Sequence, residues 1–249
     1  MDKTGFLPGV PVDHVLGRLA KAGGKELESG KFFSPDSSAA LAVNTFGRFI
    51  DVPADLPPFP GVDWDAPALC VEVEYCARFP WAGGRHPWLD ALVETPLRLF
   101  GIESKRFEPY RDAKRAILST AYDRPVWGEA MRPFEDMRDR LRSNARQFEF
   151  LDAAQLVKHA FGLVTDSKRR SKAVALVYLF AEPRVLHGKP IGAAAFTRHR
   201  QEIAEFSVGV AGAAVAFHAV SYREWLTTWP PHPPHVARHA RAVLQAFEP

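Results

Sequence analysis

Residues 88–109, WLDALVETPLRLFGIESKRFEP, constrain the fold more than any other stretch of this chain. Both halves are rich in β-branched and large apolar residues, and Thr95-Pro96 breaks them apart, so the stretch reads as two strands, residues 89–95 and 97–107, joined by a short turn. Each strand carries charge where a plain core strand would not. Asp90 opens the first, and Glu103 and Lys105 lie two apart on the second, which the period of a strand places on one face. An Asp across from a Glu-x-Lys is a metal site in outline.

The chain on either side supplies partners for a sheet. Residues 69–79 alternate, with Val71, Val73 and Tyr75 on one face and Glu72, Glu74 and Cys76 on the other, and residues 173–180, AVALVYLF, form a fully buried strand. Helices are expected over residues 12–22, stopped by Gly23-Gly24, over 36–46 after the N-cap residues Ser34 to Ser37, and over 152–161 with Asp152 as N-cap. Residues 53–60 form a proline-rich loop. The segment 111–146 is charged, rich in arginine and expected to be mostly helical. Beyond the last core strand, residues 192–206 read as a helix, 212–222 as a strand and 234–247 as a terminal helix. The order is helix, three strands, helical insertion, helix, strand.

Asp90, followed after a hairpin by Glu103-Ser104-Lys105 at the end of an apolar strand, resembles the active-site motif of the PD-(D/E)XK nuclease superfamily, the restriction-endonuclease-like fold. Two other Asp/Glu-x-Lys matches lack that context. Asp112-Ala113-Lys114 sits in the charged segment, and Asp166-Ser167-Lys168 runs into a basic loop. The resemblance implies an α/β protein with an α-β-β-β-α-β core and mixed sheet. On that basis the chain is one domain, residues 1–249, with the core at about 36–181, the insertion at about 110–147 and C-terminal elements at about 190–249. It also implies a metal-dependent nuclease acting on DNA phosphodiesters. Asp90 and Glu103 would bind Mg²⁺ or Mn²⁺, hard cations that take one or two carboxylates, with the Ser104 carbonyl as a third ligand. Lys105 would orient or activate the attacking water and offset developing charge. The alternatives are a catalytically silent module of the same fold that binds nucleic acid or a partner protein, or an unrelated α/β enzyme in which the three residues form only a cross-strand salt bridge.

Gln155 and His159, four apart on the following helix, resemble the Gln-x-x-x-Tyr element of some exonuclease-like branches. His replaces Tyr, and a solvated helix face is the ordinary alternative. Glu72 or Glu74 would add an acid to the site unless both lie on the exposed face of an edge strand. Lys168, Arg169, Arg170 and Lys172 are the phosphate-contact candidates outside the motif, against a solvated loop. Trp81 and Trp88 would stack on bases or pack in the core. His235 and His239, near His232, have helical spacing for zinc but no Cys or acid beside them, which favours a proline-rich entrance to a basic helix.

Composition sets outer bounds. The 249 residues are 47% hydrophobic and 24% charged, ordinary for a globular protein. A formal charge of +3 from 32 basic and 29 acidic residues means that nucleic-acid binding rests on local patches. Cys70 and Cys76 lie on one strand, too far apart to pair, which fits a reducing compartment. No apolar run approaches the ~20 residues of a membrane span and no leader-like N-terminus is evident. The expected location is the cytoplasm, the expected partner is DNA, no membrane is involved, and a homodimer is left open.

Overall fold

The computed structural model describes residues 5–23, 26–111, 114 and 116–249. Gly24 of the first helix stop, Asp112 and Ala113 of one alternative motif match, and Arg115 lie outside the described residues. The chain runs α1 (Val12–Lys21), α2 (Ser38–Gly47), β1 (Cys70–Cys76), β2 (Trp88–Glu94), β3 (Arg98–Lys105), α3 (Glu108–Arg111), α4 (Arg132–Ser143), α5 (Ala153–Arg170) and β4 (Ala173–Phe180). A small hairpin, β5 (Val185–Leu186) and β6 (Lys189–Pro190), precedes α6 (Ala193–Gly209), β7 (Val215–Ser221), α7 (Tyr222–Thr227) and α8 (Pro234–Phe247).

One five-stranded sheet has the order β1-β2-β3-β4-β7. The first three strands are an antiparallel meander, and β4 and β7 add in parallel. The parallel step from β3 to β4 needs a crossover, which the insertion and α5 provide. One apolar cluster joins α1, α2, α7 and α8 to one sheet face, through Val15, Leu41, Trp225 and Val243. A second joins α4, α5 and α6 to the other, through Phe134, Phe161 and Phe206. β4 is therefore covered on both sides, and only its first residue is exposed. The α/β class, the mixed sheet and the α-β-β-β-α-β order match the expectation from sequence.

Local chemistry explains most boundaries. Ser37 Oγ accepts the Ala40 N–H and caps α2. The odd polar residue of that helix, Asn44, is buried and satisfied: it accepts the Leu7 N–H at 2.6 Å and donates to the Ala40 and Gly5 carbonyls. Helix α5 runs well past residue 161 to Arg170, where Ser171 turns left-handed. Gly162, just beyond the end expected from sequence, lies inside the helix as a contact point: a Cβ would meet Ala77 Cβ at 2.7 Å and the Ala77 carbonyl at 2.9 Å. The segment 111–146 is less helical than expected. Past α3 its described residues hold 3-10 turns at Thr120–Asp123 and Glu129–Met131 and one full helix, α4, with Pro125 and Gly128 between the turns. Tyr222 opens α7, which sequence periodicity did not separate from β7.

The meander carries a kink that the alternating pattern hides. The β1–β2 register runs Val73↔Ala91 and then Tyr75↔Leu89, which sets Glu74 across from Asp90. Glu74 has φ +50°, a left-handed conformation unfavourable for a residue with a Cβ. Val71, Val73, Ala91 and Val93 pack in the first cluster, whereas Ala77, Phe79 and Leu89 belong to the second, with Tyr75 against them. Both strands thus switch faces at the Glu74–Asp90 position. Tyr75 does not share a face with Val71 and Val73 as the sequence pattern indicates, and Glu74 is buried rather than exposed.

Candidate active site

The kink falls where β2 and β3 part. Their pairing ends at Ala91↔Ile102, and one residue further the Asp90 carboxylate takes the place of a backbone acceptor: its Oδ2 receives the Ser104 N–H at 2.6 Å. Ser104 is fully buried, with Oγ 2.7 Å from the Tyr222 hydroxyl under the first layer of helices. Glu103 faces the other way, toward α5, and is 1% exposed. Its carboxylate lies between two basic side chains, with Lys105 Nζ against Oε1 and His159 Nε2 2.7 Å from Oε2.

That arrangement needs α5 to lie close to the sheet. Two glycines permit it. A Cβ on Gly101 of β3 would meet Leu163 Cδ1 at 2.6 Å, and Gly162 makes the matching close approach on the helix. His159, one turn before Gly162, is brought onto Glu103 and is 2% exposed.

The charges in this cluster are unequal. Burial alone would raise the Glu103 pKa, but Lys105 and His159 outweigh it and hold the carboxyl at about 2. Asp90 goes the other way. Burial first and the Glu103 charge second push it well above the usual carboxylate range, and Glu74 adds to the effect. Burial and nearby acids, Glu26 and Glu103, raise Glu74 to about 7. Lys105 resists burial and stays charged because Glu103, Asp90 and Glu108 surround it. Glu108 is itself held in place, accepting from the Ser38 hydroxyl and from the Arg106 N–H at 3.0 Å.

Each Glu103 oxygen has one cross-contact, to Lys105 Nζ or to His159 Nε2, which occupies part of the carboxylate's roughly four lone-pair sites, and His159 Nδ1 has no hydrogen-bond partner among the described residues. A buried carboxylate with free lone pairs beside a second carboxyl of raised pKa is a donor set suited to a divalent cation, which would favour ionisation of both. Among the described residues no group of three or more His, Cys, Asp or Glu side chains forms a cage for a metal. Mg²⁺ does not require one, because it usually keeps several waters and takes one or two carboxylates. Asp90 and Glu103 are the residues that could hold it.

The structure brings Asp90, Glu103, Ser104 and Lys105 together and separates the rest. Gln155 is partly exposed, one turn before His159 on α5, at the same end of the sheet, and its side chain has no hydrogen-bond partner among the described residues. His159 is not on a solvated face. Glu72 pairs with Arg18 at 3.3 Å on the β1 edge, so the acid next to the site is Glu74. Asp166 and Lys168 are helical, and the cluster Lys168, Arg169, Arg170 and Lys172 is the last turn of α5 and its cap rather than a loop. Arg170 and Lys172 pair with Glu94, Arg169 donates to the Arg78 and Phe79 carbonyls, and Lys168 donates to Trp127 O at 2.8 Å. Arg170 lies about 16 Å from His159 along α5, given 1.5 Å per residue. Trp81 stacks on Phe79 with centroids 4.8 Å apart. His239 donates to the Asn44 carbonyl at 2.9 Å, while His235 pairs with Asp55. Sequence reasoning missed the buried roles of His159 and Glu74 and missed Glu108 altogether. The usable signal for His159 was a helix apolar nearly all round, in which a histidine must find a partner.

No helix among the described residues is long and apolar enough to cross a membrane. Neither the curated proteins nor the solved structures contain a match to this chain. The family model described as restriction endonuclease associating with ARP matches residues 11–243. That span takes in all five strands of the sheet and the carboxylate cluster at its kink, and the chain belongs to this restriction-endonuclease-like family.

Proposed function

We propose that the chain is a metal-dependent nuclease of the PD-(D/E)XK type that hydrolyses DNA phosphodiester bonds. The observation that carries this reading is Glu103, a buried carboxylate set one rung beyond the end of the β2–β3 ladder, with Asp90 across from it and Lys105 in contact. When bound, Mg²⁺ or Mn²⁺ supplies charge stabilisation at the phosphorus and a water of lowered pKa. Asp90 and Glu103 hold the ion, and the Ser104 carbonyl is aimed to join them. In an extended strand one residue's N–H and C=O face the same edge. The Ser104 N–H faces β2, and the next carbonyl, of Lys105, faces β4 by accepting from Ala181. Lys105 keeps its proton and offers a fixed positive charge beside the scissile phosphate and the attacking water. His159 positions the Glu103 carboxylate, and Gln155 lends an amide to the rim of the site.

A second reading has its own observation. Lys105 already neutralises Glu103 and His159 contacts its other oxygen, so the cluster is also stable as a purely structural ion group. In that case the chain is a silent module that binds nucleic acid or a partner protein. Nothing in the single chain argues for the homodimer that the sequence leaves open. A cleavage assay on duplex and single-stranded DNA with Mg²⁺, Mn²⁺ or chelator separates the two, run on wild type, Asp90→Ala, Glu103→Gln and Lys105→Ala at equal folded concentration. The nuclease reading requires cleavage that needs the metal and both carboxylates, and a loss of about 10²-fold in Lys105→Ala. Cleavage in chelator, or in either carboxylate variant, overturns it. DNA binding without cleavage under any condition favours the silent module.

A further inference from the structure

Two cavities flank the carboxylate cluster, and they differ in charge. One, of about 250 Å³, has Glu26, Asp36 and Glu108 against Lys31 and Arg111. The other, of about 450 Å³, opens along the free edge of β1 and carries Arg18, Lys21, Arg78 and Arg169 against Glu72 and Asp166. Lys21 and Arg78 are exposed, and among the described residues neither has a carboxylate within ion-pair distance. Trp88 and Tyr75 supply ring surface in the same cleft. Tyr75 is committed elsewhere, donating to Asp166 at 3.0 Å and accepting from Arg170 at 2.9 Å, which leaves Trp88 as the available ring.

The basic cleft is joined to the site. Arg18 lines it and donates to the Val73 carbonyl at 3.1 Å and the Glu74 carbonyl at 2.9 Å, so its guanidinium braces the kink opposite Asp90. Trp88 stands two residues before Asp90 on β2, roughly 7 Å away at the rise of a strand. That is about two nucleotides at 3.4 Å of axial rise per strand. The basic cluster that stands out in sequence, at residues 168–172, is largely committed: Arg170 and Lys172 pair with Glu94 at the other end of the strands, Lys168 donates to the Val126 and Trp127 carbonyls, and Arg169, which lines this cleft, pairs with Asp166 at 3.5 Å.

We infer that the cleft between α1 and the β1 edge, lined by Lys21, Arg78 and Trp88, holds the sugar-phosphate backbone of a DNA strand as it leaves the carboxylate site. Lys21 and Arg78 contact phosphates from opposite walls, Arg18 couples that contact to the Glu74–Asp90 kink, and Trp88 receives a base where the strand is unpaired. The inference rests on the nucleic-acid part of the proposed function and not on cleavage.

The test is titration of labelled duplex and single-stranded DNA onto the full chain in chelator at several salt concentrations. Wild type is compared with Lys21→Glu, Arg78→Glu, Arg78→Ala and Trp88→Ala, and with Arg238→Glu on exposed α8 as a control for charge alone. The expected results are about tenfold weaker binding for each reversal at the cleft and a salt slope lower by about 1 in Arg78→Ala. Arg238→Glu should change little, and Trp88→Ala should weaken single-strand binding more than duplex binding. Wild-type affinity in both Lys21→Glu and Arg78→Glu overturns the cleft assignment even if the protein cuts DNA. Binding that depends on the cleft in a protein that never cuts sustains the assignment and removes the nuclease reading. Failure of the wild type to bind either DNA overturns the assignment outright.

Discussion

Two glutamates, one near each end of the central strands, each meet two basic side chains, and the outcomes are opposite. Glu94, at the end of β2, pairs with Arg170 and with Lys172 at 2.7 Å, makes a hydrogen bond to the arginine and keeps 21% of its side chain in solvent. Glu103, near the end of β3, meets Lys105 and His159, one at each oxygen, and is sealed from solvent. At the first, water and guanidinium satisfy the carboxylate, and the network closes on itself. At the second, the charge is met by Lys105, no solvent reaches the carboxylate, and one contact per oxygen leaves part of its acceptor capacity unused. Charge pairing alone therefore does not identify a site; the leftover acceptor capacity in a buried place does.

The largest test of this contrast is Glu103→Gln against Glu94→Gln. Gln keeps the shape at both positions. Cleavage should be abolished at Glu103 and stay unchanged at Glu94. In chelator, chemical denaturation should show Glu103→Gln destabilised by about 3 kcal/mol, because buried Lys105 loses the carboxylate in direct contact with it. The same comparison has a pH signature. The folded Glu103 pKa lies near 2, below its ordinary 4.5. Its stabilisation is fully present above pH 4.5 and is lost as pH falls through about 2, since the unfolded chain binds the proton first. Glu103→Gln should flatten the stability profile in that window. An unaltered acid limb would show that the buried carboxylate carries no folding energy.

A smaller effect is expected at the contact that creates the second region. Gly162→Ala should push α5 off β1, costing about 1 to 3 kcal/mol, and should slow cleavage by loosening His159 from Glu103. A stable and fully active Gly162→Ala would mean that the close approach of α5 is not what positions the glutamate. The smallest effect belongs to Glu94→Gln, under about 1 kcal/mol and shrinking further in high salt, as for any partly exposed ion pair. A larger, salt-insensitive loss would mean that the two glutamates are not as different as their surroundings indicate.

Much of the fold was legible because each core element announces itself locally. The run AVALVYLF can only be a strand buried on both faces, and the alternation in residues 69–79 and 88–107 marks the meander. Asp90, Glu103 and Lys105 were legible for the same reason, as charges on apolar strands. What misled was equally local. The expected helix ends just before Gly162, a poor helix former, and only the packed strand shows that a missing Cβ is what the position requires. Glu74 reads as an outward residue because strict alternation is assumed, and its left-handed backbone breaks that assumption at one residue.

By itself, then, the sequence determined the order of helices and strands, the faces of β3 and β4, and the three charged residues at the end of the meander. All of these follow from period and neighbours along the chain. Only the tertiary structure decided that β1 and β2 switch faces together, that His159 rather than Gln155 reaches Glu103, and that the basic residues 168–172 sit about 16 Å of helix away from it. It also decided that Arg18, Lys21 and Arg78, scattered in sequence, line one cleft. The physical reason is that pairing register, close helix–sheet approach and the sharing of a cavity depend on contacts between residues far apart in the chain, and no local pattern encodes the distance at which two such residues finally meet.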